Sequence, residues 1–271
     1  MPDRYRAFSE NGYCGEVLEE FQNDIALGHL EEWFRDNTTR VVRELPMRGI
    51  YFCQREQKPD WHFKLLRGLG DQESSFLQSL KWRFRPSRFL RVLAISQELQ
   101  RAGFLCPRVI LAARKRPSLF GNPTDFIILE TARGRMVVDY LAGGDGLARL
   151  EGEARRGLLV LMGHELARLH NAGFVHGDCH PGNYFWEEGT EEFCYIDNDR
   201  TSKYNSLNIS GAIRNLVSAG FFLLHRDRVT PEEWTIILDA YLQKTHCPLH
   251  KIPSFRQRVE ESLQKRLRKD L

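Results

Sequence analysis

A chain of 271 residues, 42% hydrophobic and 28% charged, is long enough for one large or two small folded units and too apolar to stay disordered. Its formal net charge of +3 is too small to imply a nucleic-acid partner by itself. The six cysteines form no C-x-x-C pair, the first residues hold no apolar signal core, and the longest apolar-rich run, Leu216–Leu224, is too short for a bilayer. These features lead us to expect a reduced, cytoplasmic chain that does not span a membrane.

Residues 1–35 are polar and mixed, with loose helical periodicity over Leu18–Phe34, and are expected to form an N-terminal extension. From Val41 the texture turns β-prone. Val41-Val42, Gly49–Cys53 and Trp61–Leu65 are short strand-like runs separated by Gly, Pro and charged residues. Pro86-Ser87 opens a helix with Ser87 as its N-cap. Leu90, Leu93, Ala94 and Leu99 recur at helical intervals, and Gly103 ends the helix. Val109–Ala113 and Phe126–Leu129 read as two more strands, joined by the basic turn Arg114–Pro123. After Gly134 the pattern is helical. Arg156–Asn171 carries a stripe of Leu158, Leu161, Met162, Leu166 and Leu169 and stops at Gly173. A strand over Phe193–Ile196 and helices over Ile209–Leu224 and Pro231–Leu242 follow. Strands first and helices later predict an α+β chain, with a sheet-rich lobe over residues 36–132 and a helical lobe over residues 133–271.

The chemistry concentrates after the Arg156–Asn171 helix, in His176-Gly177-Asp178-Cys179-His180-Pro181-Gly182-Asn183. Asp178 and Asn183 stand five apart, the spacing of the protein-kinase catalytic loop, and Asp197 follows a short strand fourteen residues later. This order suggests phosphoryl transfer. Asp178 would orient the acceptor hydroxyl and take its proton, and Asn183 and Asp197 would offer hard oxygens to Mg²⁺. His176 is expected to organise the loop backbone, His180 to contact phosphate or substrate, and Asp199-Arg200 to form a local charge pair. Asp, Asn, Gly and Pro also favour ordinary turns, so it is the whole arrangement, not any one residue, that carries the reading. On the nucleotide side, Lys64 is the candidate for the α- and β-phosphates of ATP. Glu98 is the candidate helix partner of that lysine, and Glu130 falls where a hinge would meet adenine. No G-x-G-x-x-G occurs, and Gly49 is the only glycine in the first hairpin, so any phosphate-covering loop is a reduced one. A metallohydrolase reading of His176, Asp178 and His180 lacks the further His and Asp ligands such sites need.

Four segments give the chain a family resemblance. They are Phe84-Arg85-Pro86-Ser87-Arg88 with Leu99–Pro107, then Leu169–Asp178, then Ile196-Asp197-Asn198-Asp199-Arg200, and the helical tail near Leu238–Leu242. Together they resemble the Kdo/heptose lipopolysaccharide kinase family, a bacterial branch of the two-lobed protein-kinase-like fold. The resemblance implies ATP- and Mg²⁺-dependent transfer to a sugar hydroxyl of the lipopolysaccharide inner core, at the cytoplasmic face of the inner membrane. Many relatives carry a Glu early in the helix where this chain has Val92, which weakens the Lys64–Glu98 pairing. Aminoglycoside and choline phosphotransferases share a similar H-G-D-x-H-x-x-N loop. A small-molecule phosphotransferase or a pseudokinase that only binds are therefore the alternatives.

Two segments mix cations with apolar residues. Lys81–Arg91 interleaves Arg and Lys with Trp82, Phe84 and Phe89, which suits anionic sugar phosphates, acidic headgroups or a solvated helix entrance. Ser254–Leu271 spaces Phe255, Val259, Leu263, Leu267 and Leu271 by four. A helix packed on its own lobe is the preferred reading and a membrane-surface helix the other. No recognition motif supports RNA or DNA binding.

Overall fold

The computed structural model describes residues 3–45, 48–56, 58–67, 85–116, 123–143 and 149–269. The chain divides into two compact units, Met1–Gln97 with Pro107–Thr131, and Glu98–Cys106 with Ala132–Leu271.

The first unit is built on an antiparallel sheet of seven strands: β1 (Tyr5–Glu10), β2 (Tyr13–Leu18), β3 (Arg40–Leu45), β4 (Arg48–Cys53), β5 (Trp61–Arg67), β6 (Val109–Lys115) and β7 (Thr124–Glu130), in the order β1-β2-β6-β7-β5-β4-β3. Among the described residues two α-helices accompany it, α1 (Leu30–Asn37) and the start of α2 (Arg88–Arg101). Side chains alternate across a strand, so β5 shows two faces. Trp61, Phe63 and Leu65 are buried in one core with Tyr13, Val17, Phe34, Phe126 and Ile128. Leu66 packs on the other, with Phe89, Val92, Leu93, Ala112 and Ile127. Residues 1–35 are therefore no extension. β1 pairs with β2 and β2 with β6, while Val17, Leu18, Leu30 and Phe34 lie in the core. The exposed pattern of β1 hides this in the sequence, because only one face of an edge hairpin meets apolar partners.

A buried ion pair fixes the entrance of α2. Asp125, 2% exposed, receives Arg114 Nε at 2.7 Å and Nη2 at 3.0 Å, and also the backbone N–H of Arg88 at 3.1 Å. Ser87 caps the helix as expected, with its hydroxyl accepting from the Leu90 N–H at 3.4 Å. The buried stripe differs slightly from expectation: Val92, Leu93, Ile95, Ser96 and Leu99 are inside and Ala94 is exposed. Of the Lys81–Arg91 segment, residues 81–84 lie outside the described residues. Phe89 belongs to the core, which favours the helix-entrance reading for the rest.

The second unit contains the end of α2, β8 (Arg135–Met136), α3 (Val137–Ala142), α4 (Gly152–Asn171), β9 (Phe174–Val175), β10 (Tyr184–Trp186), β11 (Phe193–Tyr195), β12 (Ser202–Lys203), α5 (Ile209–His225), α6 (Pro231–Lys244) and α7 (Ile252–Leu267). Two small sheets, β11-β10-β8 and β12-β9, frame the segments between α4 and α5. α4 and α6 approach closely at Gly163, where a Cβ would lie 2.4 Å from the Ile237 carbonyl oxygen. Arg155, 6% exposed, ties the same pair of helices by binding Glu233 and the carbonyls of Leu141 and Arg228. α7 buries Phe255, Val259 and Leu263 within the unit, which favours the reading of a helix packed on its own lobe; Leu267 is half-buried and Leu271 lies outside the described residues. No helix among the described residues is long and apolar enough to cross a membrane.

Candidate active site

Five of the eight residues in the loop after β9 are turn formers, and the loop's geometry comes from a buried polar network. His176 is 1% exposed. Its Nε2 donates to the Ile196 carbonyl at 2.9 Å, and its Nδ1 accepts the Asp178 N–H at 3.2 Å. Asn215, buried in α5, grips the backbone of the same residue. Its Oδ1 accepts the His176 N–H at 2.9 Å and its Nδ2 donates to the His176 carbonyl at 2.7 Å. That Oδ1 also accepts from His170 Nε2 at 3.0 Å, and His170 Nδ1 meets the Tyr241 hydroxyl at 3.1 Å. Burial lowers both imidazoles from their ordinary value, His170 to about 4, so both are neutral at physiological pH. His176 thus has the organising role read from the sequence. With both ring nitrogens turned to backbone, it is no metal ligand.

Asp178 projects from this scaffold with its side chain 54% exposed, open to a reacting partner. Asn183 is buried and held by Nδ2 donating to the Asp178 carbonyl at 2.8 Å, so its amide oxygen is the end turned away from that bond. The Asn183 carbonyl accepts the Ile196 N–H at 3.0 Å. Ile196 is therefore bonded to both ends of the loop, and its neighbour Asp197 sits left-handed at φ 57°, ψ 44°. A non-glycine residue in that region is uncommon and is held there only by its surroundings. Gly177 leaves room for this meeting, since a Cβ there would lie 2.0 Å from the Arg200 Cβ.

His180 lies on the ring of Phe222, with centroids 4.6 Å apart and planes within 9°. Its Nδ1 accepts the Gly182 N–H at 3.1 Å. Nε2 lies 3.2 Å from Asn183 Nδ2 and 3.6 Å from an Asp178 carboxylate oxygen. Burial, more than the nearby charges, lowers its pKa. Cys179, in the same loop, is buried against the Tyr184 hydroxyl, and burial pushes its thiol up to about 12.

In the first unit, Lys64 is half-buried on β5, opposite Ile127 of β7 and on the same sheet face as Leu66. It therefore shares the face on which α2 packs. Glu98, its expected partner, stands exposed in the last turn of α2 with its carboxylate 2.9 Å from Arg101, which gives the Lys64–Glu98 pairing no support. Glu130 ends β7. Its N–H donates to the Arg108 carbonyl at 2.9 Å and its carboxylate faces Arg108 at 3.8 Å, so its own N–H is already engaged within the sheet. In the β3–β4 hairpin Gly49 pairs with Glu44 and lies beneath the Tyr51 ring, while the tip at residues 46–47 is outside the described residues. Sequence reasoning missed Asn215, His170 and Asp125. The signal available was a lone Asn within the apolar stretch of α5 and charged residues at the ends of two apolar strands.

An antiparallel sheet unit, a helical unit and a loop of this geometry define a protein-kinase-like fold. Its family follows from the sequence: residues 32–241, more than half of the chain, match the lipopolysaccharide kinase (Kdo/WaaP) family, and the chain belongs to it. Among solved structures it resembles WaaP in complex with acyl carrier protein. That likeness has a TM-score of 0.66 at 15% identity and covers 97% of this chain and 98% of that one. A weaker likeness is to the Rio2 kinase–ADP/Mg²⁺–phosphoaspartate complex from Chaetomium thermophilum, with TM-score 0.49, 15% identity, 96% of this chain and 82% of that one. No curated protein sequence matches the chain.

Proposed function

We propose that the chain transfers the γ-phosphoryl group of ATP to a sugar hydroxyl, Kdo or heptose, of the lipopolysaccharide inner core on the cytoplasmic side of the membrane. The observation that supports this most is the loop itself, with an exposed Asp178 on a backbone clamped by His176 and Asn215 and joined through Ile196 to Asn183 and Asp197. Phosphoryl transfer asks mainly for alignment and for charge placed over the transferring group. Asp178 accepts the proton of the acceptor hydroxyl, and its exposure lets that hydroxyl approach. His180 is assigned to contact with phosphate or substrate. Lys64 is assigned to the α- and β-phosphates, and the backbone near Glu130, other than its N–H, to adenine.

The donor set suits Mg²⁺, which takes one or two protein oxygens and completes its shell with phosphate and water. Asn183 Oδ1 and the Asp197 carboxylate would hold it. Among the described residues no three His, Cys, Asp or Glu side chains gather to hold a metal ion. When bound, the ion would neutralise charge between the β- and γ-phosphates.

The test is phosphate transfer from ATP to core oligosaccharide isolated from cells lacking the protein, read by mass spectrometry. One added phosphate is expected with the native chain. Asp178→Ala should lower turnover at least about 10³-fold with nucleotide binding retained. Mg²⁺-dependent ATP binding without transfer to any core sugar would identify a pseudokinase and overturn the assignment.

A further inference from the structure

The β3–β4 hairpin sorts its charges between the two faces of the sheet. On β4, Arg48, Ile50 and Phe52 alternate with Gly49, Tyr51 and Cys53. The register with β5 sets Ile50 opposite Lys64 and Phe52 opposite His62, so the first set shares the Lys64 face. On β3, Arg40 stands opposite Phe52 and Arg43 opposite Ile50, with a register shift between Val41 and Arg43. Residues three apart on a regular strand point to opposite faces. The extra residue of the bulge returns Arg43 to the face of Arg40, and re-aiming a side chain is what bulges do beside functional sites. Ring contacts bear out this face. Arg40 lies over Phe52, 5.2 Å from its centroid, and Phe52 meets His62 with centroids 5.3 Å apart. The next row is Arg43, Ile50 and Lys64, and in the row after it Arg48 stands between Leu45 and Leu66.

The one acidic residue between Arg40 and Cys53 goes to the other face. Glu44 pairs with Gly49, and its carboxylate accepts the Tyr51 hydroxyl at 3.0 Å. Gly49 serves the same contact. A Cβ there would lie 2.2 Å from the Tyr51 hydroxyl oxygen, and the backbone at Gly49 is ordinary strand. This glycine makes room for an aromatic ring, whereas the glycines of a kinase phosphate loop let backbone approach the nucleotide. Among the described residues no carboxylate forms an ion pair with Arg40, Arg43 or Arg48, although Arg55, Arg108 and Arg114 of the same unit each have one. Burial first, and then the charges of Lys64 and Arg40, lower the His62 pKa, so positive potential reaches across this face.

We propose that Arg43 and Arg48 hold the polyphosphate of the nucleotide together with Lys64, guanidinium side chains taking the part that a glycine-rich loop gives to backbone N–H groups. The proposal rests on the reading of Lys64 as a phosphate contact and deepens it by naming its partners. β3 and β5 lie two strand spacings apart, about 10 Å, a span that long side chains from both strands can close on one phosphate chain. Recognition by charge makes the number of phosphates the selected feature.

The test is calorimetry on the full chain, without acceptor, with ATP and AMP as probes. The native chain should bind ATP at least about tenfold tighter than AMP. Arg43→Ala and Arg48→Ala should each weaken ATP by roughly five- to tenfold and leave AMP within about twofold. Arg43→Lys should keep part of the affinity, because it keeps the charge and loses the planar fork. Arg67→Ala is the matched control. Arg67 ends β5 on the opposite face, where its charge acts on Tyr51, so its loss should change neither probe. Circular dichroism should show each variant folded. Equal ATP affinity in the native chain and the Arg43→Ala/Arg48→Ala double variant would overturn the proposal and leave the nucleotide reading intact. An equal loss in Arg67→Ala would also overturn it, by showing a general effect of net charge. A double variant that keeps its ATP affinity but no longer binds vesicles of anionic phospholipid would assign the arginines to a membrane surface instead. A native chain that binds neither probe would overturn the nucleotide reading itself. Arginine-dependent ATP binding without transfer to any core sugar would refute the transfer reaction and leave this phosphate site standing.

Discussion

Acidification should weaken the fold through His170, by an amount the structure lets us work out. His170 is fully buried between Asn215 and Tyr241, and burial lowers its pKa from the ordinary 6.5 to about 4. The folded value lies below the unfolded one, so the unfolded chain binds more protons between those two pH values. Stability is therefore lost as pH falls from about 6.5 toward about 4 and is fully present above that window. At pH 5 the unfolded imidazole is almost wholly protonated and the folded one about one-tenth so, a gap of roughly 1.5 pH units. At about 1.36 kcal/mol per unit this amounts to about 2 kcal/mol, nearly absent at pH 7. Urea unfolding of the native chain and of His170→Gln at pH 5, 6 and 7 isolates the contribution, because the other titrating groups are common to both. The native chain should lose about 2 kcal/mol more than the variant between pH 7 and pH 5. Parallel pH profiles would refute the buried, neutral imidazole and with it the network that positions the loop.

Three further outcomes follow from particular contacts. Asn215→Leu removes an acceptor from the His176 N–H and from His170 and a donor from the His176 carbonyl; it should cost about 2–4 kcal/mol in urea unfolding and impair turnover more than ATP binding. Gly177→Ala forces a Cβ into Arg200, so thermal unfolding should show a loss of about 1–3 kcal/mol together with reduced kcat. Asp125→Ala leaves the partly buried Arg114 without its carboxylate and frees the entrance of α2; a loss of about 2–4 kcal/mol is expected, and Asp125→Asn should recover only part of it.

What the sequence disclosed and what it hid divide along physical lines. Strands β4 to β7 were legible because their apolar residues meet the buried faces of a sheet, and α4 because its stripe repeats over about three turns. The loop from His176 to Asn183 was legible because its spacing is local: five residues fix which side chains can share one phosphate. The β1–β2 hairpin was not, since β1 is mostly exposed and the place of β2 is decided by Val17 meeting Leu111 of β6. Arg114 and Asp125 stand opposite each other in the β6–β7 register, a pairing that depends on how two strands align and not on spacing along the chain. Asn215 lies 39 residues from the backbone it holds, beyond the reach of any local pattern.

The left-handed Asp197 shows why that distant residue matters to the chemistry. Holding an L-residue in this region costs about 1–2 kcal/mol, so Asp197 alone would relax to an extended or right-handed conformation. The peptide groups just before it cannot follow, because the Ile196 carbonyl is bonded to His176 Nε2 and its N–H to the Asn183 carbonyl. Each such bond contributes about 1 kcal/mol net, and breaking either would leave a partly buried polar group unpaired. The two bonds together therefore outweigh the strain. Both depend on the orientation of the His176 ring and the path of its loop, which Asn215 sets by bonding the His176 N–H and carbonyl. The direction of the Asp197 carboxylate is thus set by a helix amide through one imidazole. Changing that imidazole should move Asp178 and Asp197 together, and a variant that disturbed one without the other would contradict the coupling.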